Sequence, residues 1–105
     1  MSTSRNNYDA IEKIIFDEGL SIKYVEIKPD INKMLIFLST DHIIALPLSL
    51  YKNLKNASLE GLQQFELFAN GTGIRWPKLD EDLSLKGFLK DALYQMVTDR
   101  QLIVA

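Results

Sequence analysis

The sequence predicts an α+β domain, in which an antiparallel meander of three strands and a separate β-hairpin are covered by helices. Three observations predict this fold class. Short β-rich runs follow one another with turn residues between them, an Asn-Gly pair separates two further short runs, and apolar residues recur at helical spacing near both ends. The chain has 105 residues, the usual size of one domain. We therefore expect a single domain over 1–105, with 1–7 as a flexible tail.

An N-terminal helix is predicted over Tyr8–Glu18. Its apolar residues recur three and four positions apart, which places them on one face of a helix. Asn6 or Asn7 is expected to cap its start, and Gly19 is expected to end it, because glycine takes the left-handed conformation without a Cβ clash. We expect the apolar face to pack on the domain.

The meander is predicted from three β-rich runs that short turns separate: Ser21–Lys28, Lys33–Ser39 and Ile43–Leu46. The short connections favour antiparallel pairing over parallel strands with crossover helices. Consecutive apolar residues over Met34–Leu38 predict that the second strand is central and covered on both faces.

Two short helices and a hairpin are predicted next. Ser49 and Ser58 are the expected N-caps of helices that reach about Leu54 and Gln64. The hairpin is expected to pair 66–68 with 74–76, because the Asn-Gly pair between these runs tolerates positive φ.

The last segment has the clearest helical pattern, formed by Leu85, Phe88, Leu89, Ala92, Leu93, Met96 and Val97. Gly87 lies inside this pattern and costs about 1 kcal/mol relative to alanine, so a break there is one alternative. The final Gln101–Ala105 is apolar for a chain end. It would either pack back on the sheet or add a strand to a partner's edge.

Composition excludes several classes of protein. The chain has no cysteine, which removes disulfides, thiolate metal sites and a cysteine nucleophile, and suits a reducing compartment. The first residues lack the apolar region of a signal peptide, and the longest apolar run is far shorter than the about 20 residues of a membrane span. We therefore expect a cytoplasmic protein without membrane contact. A net charge of -2 argues against broad, sequence-independent nucleic-acid binding.

The sequence contains no recognisable catalytic apparatus. His42 is the single histidine and has neither a cysteine nor a second histidine with which to build a typical transition-metal site. Gly71–Gly73 begins like a dinucleotide-binding motif, but Trp76 takes the place of its third glycine. We expect a chain that is not an enzyme and has no cofactor, no catalytic residue and no metal site.

Two neighbouring features are candidates for partner binding. Asp80–Asp82 concentrates negative charge, and three interpretations stay open: helix capping with Asp82 or Ser84 as N-cap, contact with a basic partner, or a divalent cation. Trp76 and Arg75 are residue types that dominate interface hot spots, although a core position is the more usual one for such a tryptophan. The candidate partner-binding residues are therefore Arg75, Trp76, Asp80, Glu81 and Asp82.

Three stretches carry a family resemblance: Pro47–Ser58, Phe65–Leu67 and Gly73–Leu89. The first begins with Pro-Leu before an aromatic helix start, and the third contains the run Trp-Pro-Lys-Leu-Asp-Glu-Asp-Leu-Ser. These features resemble a prokaryotic family called domain of unknown function 2442. The resemblance covers about 21–89 as a core, so 90–105 would be a C-terminal helical extension.

The resemblance implies a small intracellular protein whose gene often lies beside that of another short protein, of family 4160. It also implies an antitoxin-like role, in which this chain would bind a small, basic toxin. We therefore expect a non-catalytic protein-interaction module, with homo-oligomerisation through the chain termini as a further expectation. The alternative function is a transcriptional regulator that binds DNA alone or with its partner, although the sequence shows no clear helix-turn-helix.

Overall fold

The computed structural model describes the backbone of residues 7–104 and the side chains of residues 7–98. Within these residues the helices are α1 (Ala10–Phe16), α2 (Lys52–Lys55), α3 (Leu59–Gln63) and α4 (Leu85–Val104). The strands are β1 (Ile22–Lys28), β2 (Lys33–Leu38), β3 (Ile43–Leu46), β4 (Glu66–Phe68), β5 (Gly73–Trp76) and β6 (Glu81–Ser84). The α+β fold class is as predicted. The predicted tail at 1–7 lies outside the described residues except for its last residue.

Helix α1 begins with a capping box. The Asp9 carboxylate accepts a hydrogen bond from the Glu12 N–H at 2.8 Å, and the Glu12 carboxylate accepts one from the Asp9 N–H at 3.0 Å. This reciprocal pair satisfies two backbone donors at the helix start, so the prediction of Asn6 or Asn7 as the cap is wrong. Gly19 follows the helix with φ of 81°, which agrees with its predicted role as a stop.

The first sheet has the predicted order β1-β2-β3 and is antiparallel throughout. Alternate residues of β2, namely Met34, Ile36 and Leu38, are buried in the core. The other face of β2 carries Leu35 and Phe37, which are only half-buried within the described part of the chain. Strand β2 is therefore central, as predicted, but it is fully covered on one face and only partly covered on the other.

The second sheet has the order β4-β5-β6 and is also antiparallel. The predicted hairpin is confirmed, and positive φ values occur in its turn at Ala69, Asn70 and Gly71. Strand β6 was not predicted, because its sequence was interpreted as the approach to the last helix. It pairs with β5 in a register that sets Arg75 opposite Asp82.

Each sheet contains one turn of the same kind, Pro29–Asn32 in the first and Pro77–Asp80 in the second. Both begin with proline in a short 3₁₀ turn and end with a left-handed residue, at φ of 55° and 53°. The asparagine side chain of the first turn donates to the Ser49 hydroxyl at 3.0 Å. The Asn53 side chain donates to the last carbonyl of the second turn at 3.3 Å. The segment before and within α2 is therefore bonded to both turns.

The first of the two central helices is shorter than predicted, whereas the second agrees with its prediction. A 3₁₀ turn at Leu48–Leu50 precedes α2, whose N-cap position is Tyr51. Ser49 is therefore not an N-cap, because its backbone and hydroxyl are bonded to the first proline turn. Ser58 does cap α3, since its hydroxyl accepts a hydrogen bond from the Gly61 N–H at 3.1 Å.

Side chains from both sheets, α1, α4 and the central helices form one core: Ile15, Ile22, Val25, Met34, Ile36, Leu38, Leu46, Leu48, Tyr51, Leu54, Leu62, Ile74, Trp76, Leu85 and Phe88. Helix α4 is continuous, so the alternative of a break at Gly87 is wrong. It stays helical to Val104, so the predicted alternative of a C-terminal strand is also wrong. None of the helices described has both the length and the apolar character needed to cross a membrane.

Candidate functional site

Trp76 is a core residue. Its side chain is 0% exposed, and its indole N–H donates a buried hydrogen bond to the Leu62 carbonyl at 2.8 Å. The Phe65 ring packs against it, with ring centroids 6.0 Å apart. A side chain with no exposed surface offers no contact to a partner, so Trp76 can influence binding only through the segments it holds in place. The core interpretation is the one that the structure supports.

Arg75 lies on the outer face of the second sheet and is held by neighbouring side chains. Its Nε donates to Asp82 at 3.1 Å, and a terminal nitrogen lies 4.0 Å from the Glu66 carboxylate. Its guanidinium also lies over the Phe68 ring, 4.4 Å from the centroid. These contacts order Arg75. Two carboxylates balance its positive charge, so the guanidinium is not an isolated positive charge.

The three acids of the candidate site point to different surroundings. Asp80 is the exposed, left-handed residue that ends the second proline turn. Glu81 accepts a hydrogen bond from Asn53 at 2.7 Å, whereas Asp82 pairs with Arg75. Because neighbouring residues of a strand face opposite sides of the sheet, these carboxylates diverge. Among the described residues no group of three or more acidic or histidine side chains is placed to hold a metal ion.

The capping interpretation of the acidic run is correct for Ser84 and wrong for Asp82. The Ser84 hydroxyl accepts a hydrogen bond from the Gly87 N–H at 3.0 Å, as an N-cap does. Asp82 instead lies inside β6. Partner contact through Arg75, Asp80, Glu81 and Asp82 stays a prediction.

Helix α4 carries an apolar stripe of which only the first half is covered. Leu85 and Phe88 are buried, whereas Leu93, Met96 and Val97 are 54%, 64% and 46% exposed. The first half packs on β3 and α1, but α1 has seven residues and spans about 10 Å, whereas the 20 residues of α4 span about 30 Å. The stripe was predicted from its spacing, but its exposed second half was not.

Ion pairs fasten α1 to the start of α4. Lys86 lies 2.9 Å from the Glu12 carboxylate and 3.0 Å from the Asp9 carboxylate. The hydrogen bond from Lys86 lowers the pKa of Glu12, and the backbone hydrogen bond of the capping box, followed by Lys86, lowers the pKa of Asp9. The same contacts, Glu12 first, raise the pKa of Lys86.

A buried tyrosine fastens the other side of α4. The Tyr51 hydroxyl donates a hydrogen bond of 2.7 Å to the Asp91 carboxylate, and its ring meets Phe88 edge to face at 6.0 Å. Burial, followed by the bond to Asp91, raises the pKa of Tyr51 well above its ordinary value. These contacts fix the first half of α4 against the core.

The structure offers no recognition helix among the short central helices. Helix α2 has four residues and α3 has five, which is shorter than a helix that fills a DNA major groove. The DNA-binding alternative therefore stays a prediction, and these two helices do not favour it.

Comparison with known proteins places the chain among small domains of unknown function. A crystal structure of a protein of unknown function from Rhodospirillum rubrum is similar at 27% identity, with a TM-score of 0.61 over 68% of this chain and 86% of that one. A solution NMR structure of an uncharacterized protein from Chromobacterium violaceum has a TM-score of 0.64 at 22% identity, over 87% of this chain and 78% of that one, and shows likeness of fold alone. No curated protein matches. A family model matches residues 22–94, and the chain therefore belongs to the family described as "Protein of unknown function (DUF2442)".

Proposed function

We propose that this chain is a non-catalytic protein-interaction module that acts as the antitoxin-side partner of a small basic protein. The observation that carries the proposal is the exposed apolar face of α4, formed by Leu93, Met96 and Val97. These residues continue the stripe that packs on the core, so the same face has a covered half and an open half.

An open apolar helix face supports binding to a protein for a physical reason. Grouped apolar side chains on a surface are unfavourable in water, and partner proteins commonly cover such faces with an apolar groove or helix. Burying the remaining exposed part of each of these three side chains would contribute about 1 kcal/mol or more. The face therefore supplies the apolar centre that a specific interface needs.

The charge of the chain supports a basic partner. The net charge is -2, and Asp80 and Asp82 are exposed on the second sheet. Exposed charges at the rim of an interface mainly increase the rate of association and determine which partner binds. We expect the acids to steer a basic protein toward the chain, and the apolar face of α4 to hold it.

The experiment is co-purification from the native locus with a tagged chain, followed by affinity measurement on the complex. We expect a stoichiometric small basic protein, and we expect Met96→Glu to weaken its binding at least tenfold, because a charge would enter the apolar contact. Ile31→Glu is the matched control, since Ile31 is similarly exposed (59%) but lies in the first proline turn. Recovery of the chain alone, or equal affinities for both variants, would contradict the proposal.

The acids are tested on the same complex. Asp80→Asn is expected to slow association and reduce its dependence on salt, whereas dissociation should change little. Asp30→Asn is the control, because Asp30 is an exposed carboxylate in the matching turn of the first sheet. The same association rate for both variants would remove the acids from the interface.

A further inference from the structure

Helix α1 is held on the domain by few apolar contacts. Ile15 is its one buried residue, at 3% exposed, and Ile11 is partly buried against the core. Ile14 and Phe16 in the same helix are 46% and 53% exposed. Because the attachment of a short surface helix comes mainly from the apolar area that it buries, the hydrophobic attachment of α1 is small.

The packing beneath the last turn of α1 is incomplete. A cavity of about 300 Å³ lies between this turn and the second sheet, with Ile15 and Phe16 on one side and Phe68 and Gly73 on the other. A second cavity, of about 400 Å³, lies between the same two residues of α1 and the turn that follows β4. A gap beside a side chain removes the dispersion contacts that would otherwise hold it. Phe16 therefore adds little to the attachment of α1.

The polar attachment of α1 depends on Lys86, through its bonds to Asp9 and Glu12. The side chains of Lys86 and Asp9 are 32% and 51% exposed, so water reaches this ion pair. Ion pairs that water reaches contribute little to stability and weaken with salt. Lys90 contributes less than Lys86 to the lowered pKa of Asp9, so it is the lesser attachment.

The link between α1 and β1 permits movement of the helix. Gly19 is exposed, has φ of 81°, and has no heavy atom within 4 Å of the position that a Cβ would occupy. Two residues later the chain is fixed to the first sheet, because the Ser21 carbonyl accepts a hydrogen bond from the Ser39 N–H at 2.9 Å. A backbone bond of 3.2 Å from the Leu20 N–H to the Ile14 carbonyl spans the glycine and would be exchanged for bonds to water. Rotation at Gly19 therefore moves α1 and leaves β1 in place.

Helix α1 contacts the start of the side of α4 that carries the proposed partner face. Lys86, Leu93 and Val97 lie at i, i+7 and i+11, which places them on one side of the helix. Helix α1 reaches Lys86, whereas Leu93 and Val97 are exposed. A partner that covers these two apolar residues and extends its contact toward the start of α4 must take the place of α1.

We propose that α1 is a detachable strap that restrains partner binding: it leaves the domain as a unit, and the partner then occupies its place on α4. A detached helix of seven residues unfolds in water. The apparent affinity for the partner is reduced by the fraction of chains from which α1 has detached. This inference rests on the proposed function, because it describes the regulation of the same face of α4. The family match begins at residue 22, so α1 lies outside the matched residues, which supports its role as a separable element.

Detachment is measured on the whole chain without a partner, by amide hydrogen exchange in NMR at urea concentrations below the unfolding transition. Lys13 and Asp17 donate backbone bonds within and at the end of α1, and Ile36 lies at the centre of β2. We expect Lys13 and Asp17 to exchange at least tenfold faster than Ile36. We also expect their exchange to depend little on urea, because a local opening exposes little surface. The same steep dependence on urea for α1 and for Ile36 would overturn the inference.

Restraint of binding is measured on the co-purified complex with variants in α1, which leave α4 unchanged. Ile15→Ala removes the buried side chain of α1, and we expect this variant to bind the partner at least tenfold more tightly than the wild type. Ile14→Ala is the matched control, because Ile14 is the exposed neighbour in the same helix, and its affinity should not change. Glu12→Gln is a milder variant that keeps the core intact, and we expect it to bind at least twofold more tightly.

Unchanged or weaker binding by both Ile15→Ala and Glu12→Gln would overturn the inference, and weaker binding would assign α1 to the interface itself. Failure of the proposed function is a separate outcome. If Met96→Glu weakens partner binding and Ile15→Ala binds like Ile14→Ala, the proposed function stands and the strap fails. If no partner co-purifies, the proposed function fails and the regulation of binding fails with it, whatever exchange in α1 shows.

Discussion

Replacement of Trp76 tests whether this residue is an anchor of the core. Trp76→Phe removes the 2.8 Å hydrogen bond to Leu62 and leaves a buried carbonyl without its donor, at a cost of about 1–3 kcal/mol. The smaller ring also leaves a void, which adds about 1 kcal/mol. We therefore expect the free energy of unfolding to fall by about 2–4 kcal/mol, and by about 3–5 kcal/mol or more for Trp76→Ala.

The assay is urea unfolding followed by far-ultraviolet circular dichroism, because Trp76 is the single tryptophan and its fluorescence is absent from both variants. Tyr94→Ala is the control, since Tyr94 is 73% exposed and its loss should change stability by less than about 0.5 kcal/mol. A loss for Trp76→Phe as small as that of the control would refute the assignment of Trp76 to the core.

Two further predictions concern the contacts that fasten α4. Tyr51→Phe removes the bond to Asp91, and we expect a loss of about 1–2 kcal/mol in urea unfolding. Because burial raises the pKa of Tyr51, the stability linked to this hydroxyl is fully present below about pH 10 and is lost above it. The difference in stability between the wild type and Tyr51→Phe should therefore shrink above about pH 10, and a difference that stays constant there would contradict this reasoning. Because Lys86 lowers the pKa of Glu12, its contribution is present above the ordinary pKa of glutamate and is lost as the pH falls through the lowered value. The difference in thermal stability between the wild type and Lys86→Met should therefore be constant near neutral pH and shrink toward about pH 2; a difference that persists in acid would show that the ion pair is not its cause.

The elements that local signals define were predictable from the sequence. The meander follows from β-rich runs with turn residues between them, and the hairpin follows from its Asn-Gly pair. Strand β6 was missed because glutamate and aspartate have low strand propensity. Its pairing with β5, including the contact between Arg75 and Asp82, outweighs that low propensity. The four residues of β6 alone carry no pattern that predicts this pairing.

The candidate surfaces were less predictable than the fold. Spacing identified the apolar stripe of α4, but its exposed half depends on how far α1 and β3 extend along the helix, which is a property of the assembled domain. The burial of Trp76 likewise depends on a distant residue, because its indole N–H needs the carbonyl of Leu62, 14 positions earlier in the sequence, as acceptor.

The two proline turns link the unfolding of one sheet to that of the other. The sheets share no strand, so each could in principle open as a separate unit. The short stretch from Ser49 to Asn53 is nevertheless hydrogen-bonded to a turn in both of them. Opening either sheet releases this stretch and thereby removes a contact from the other, so the two sheets are coupled and are expected to lose their protection against amide exchange together.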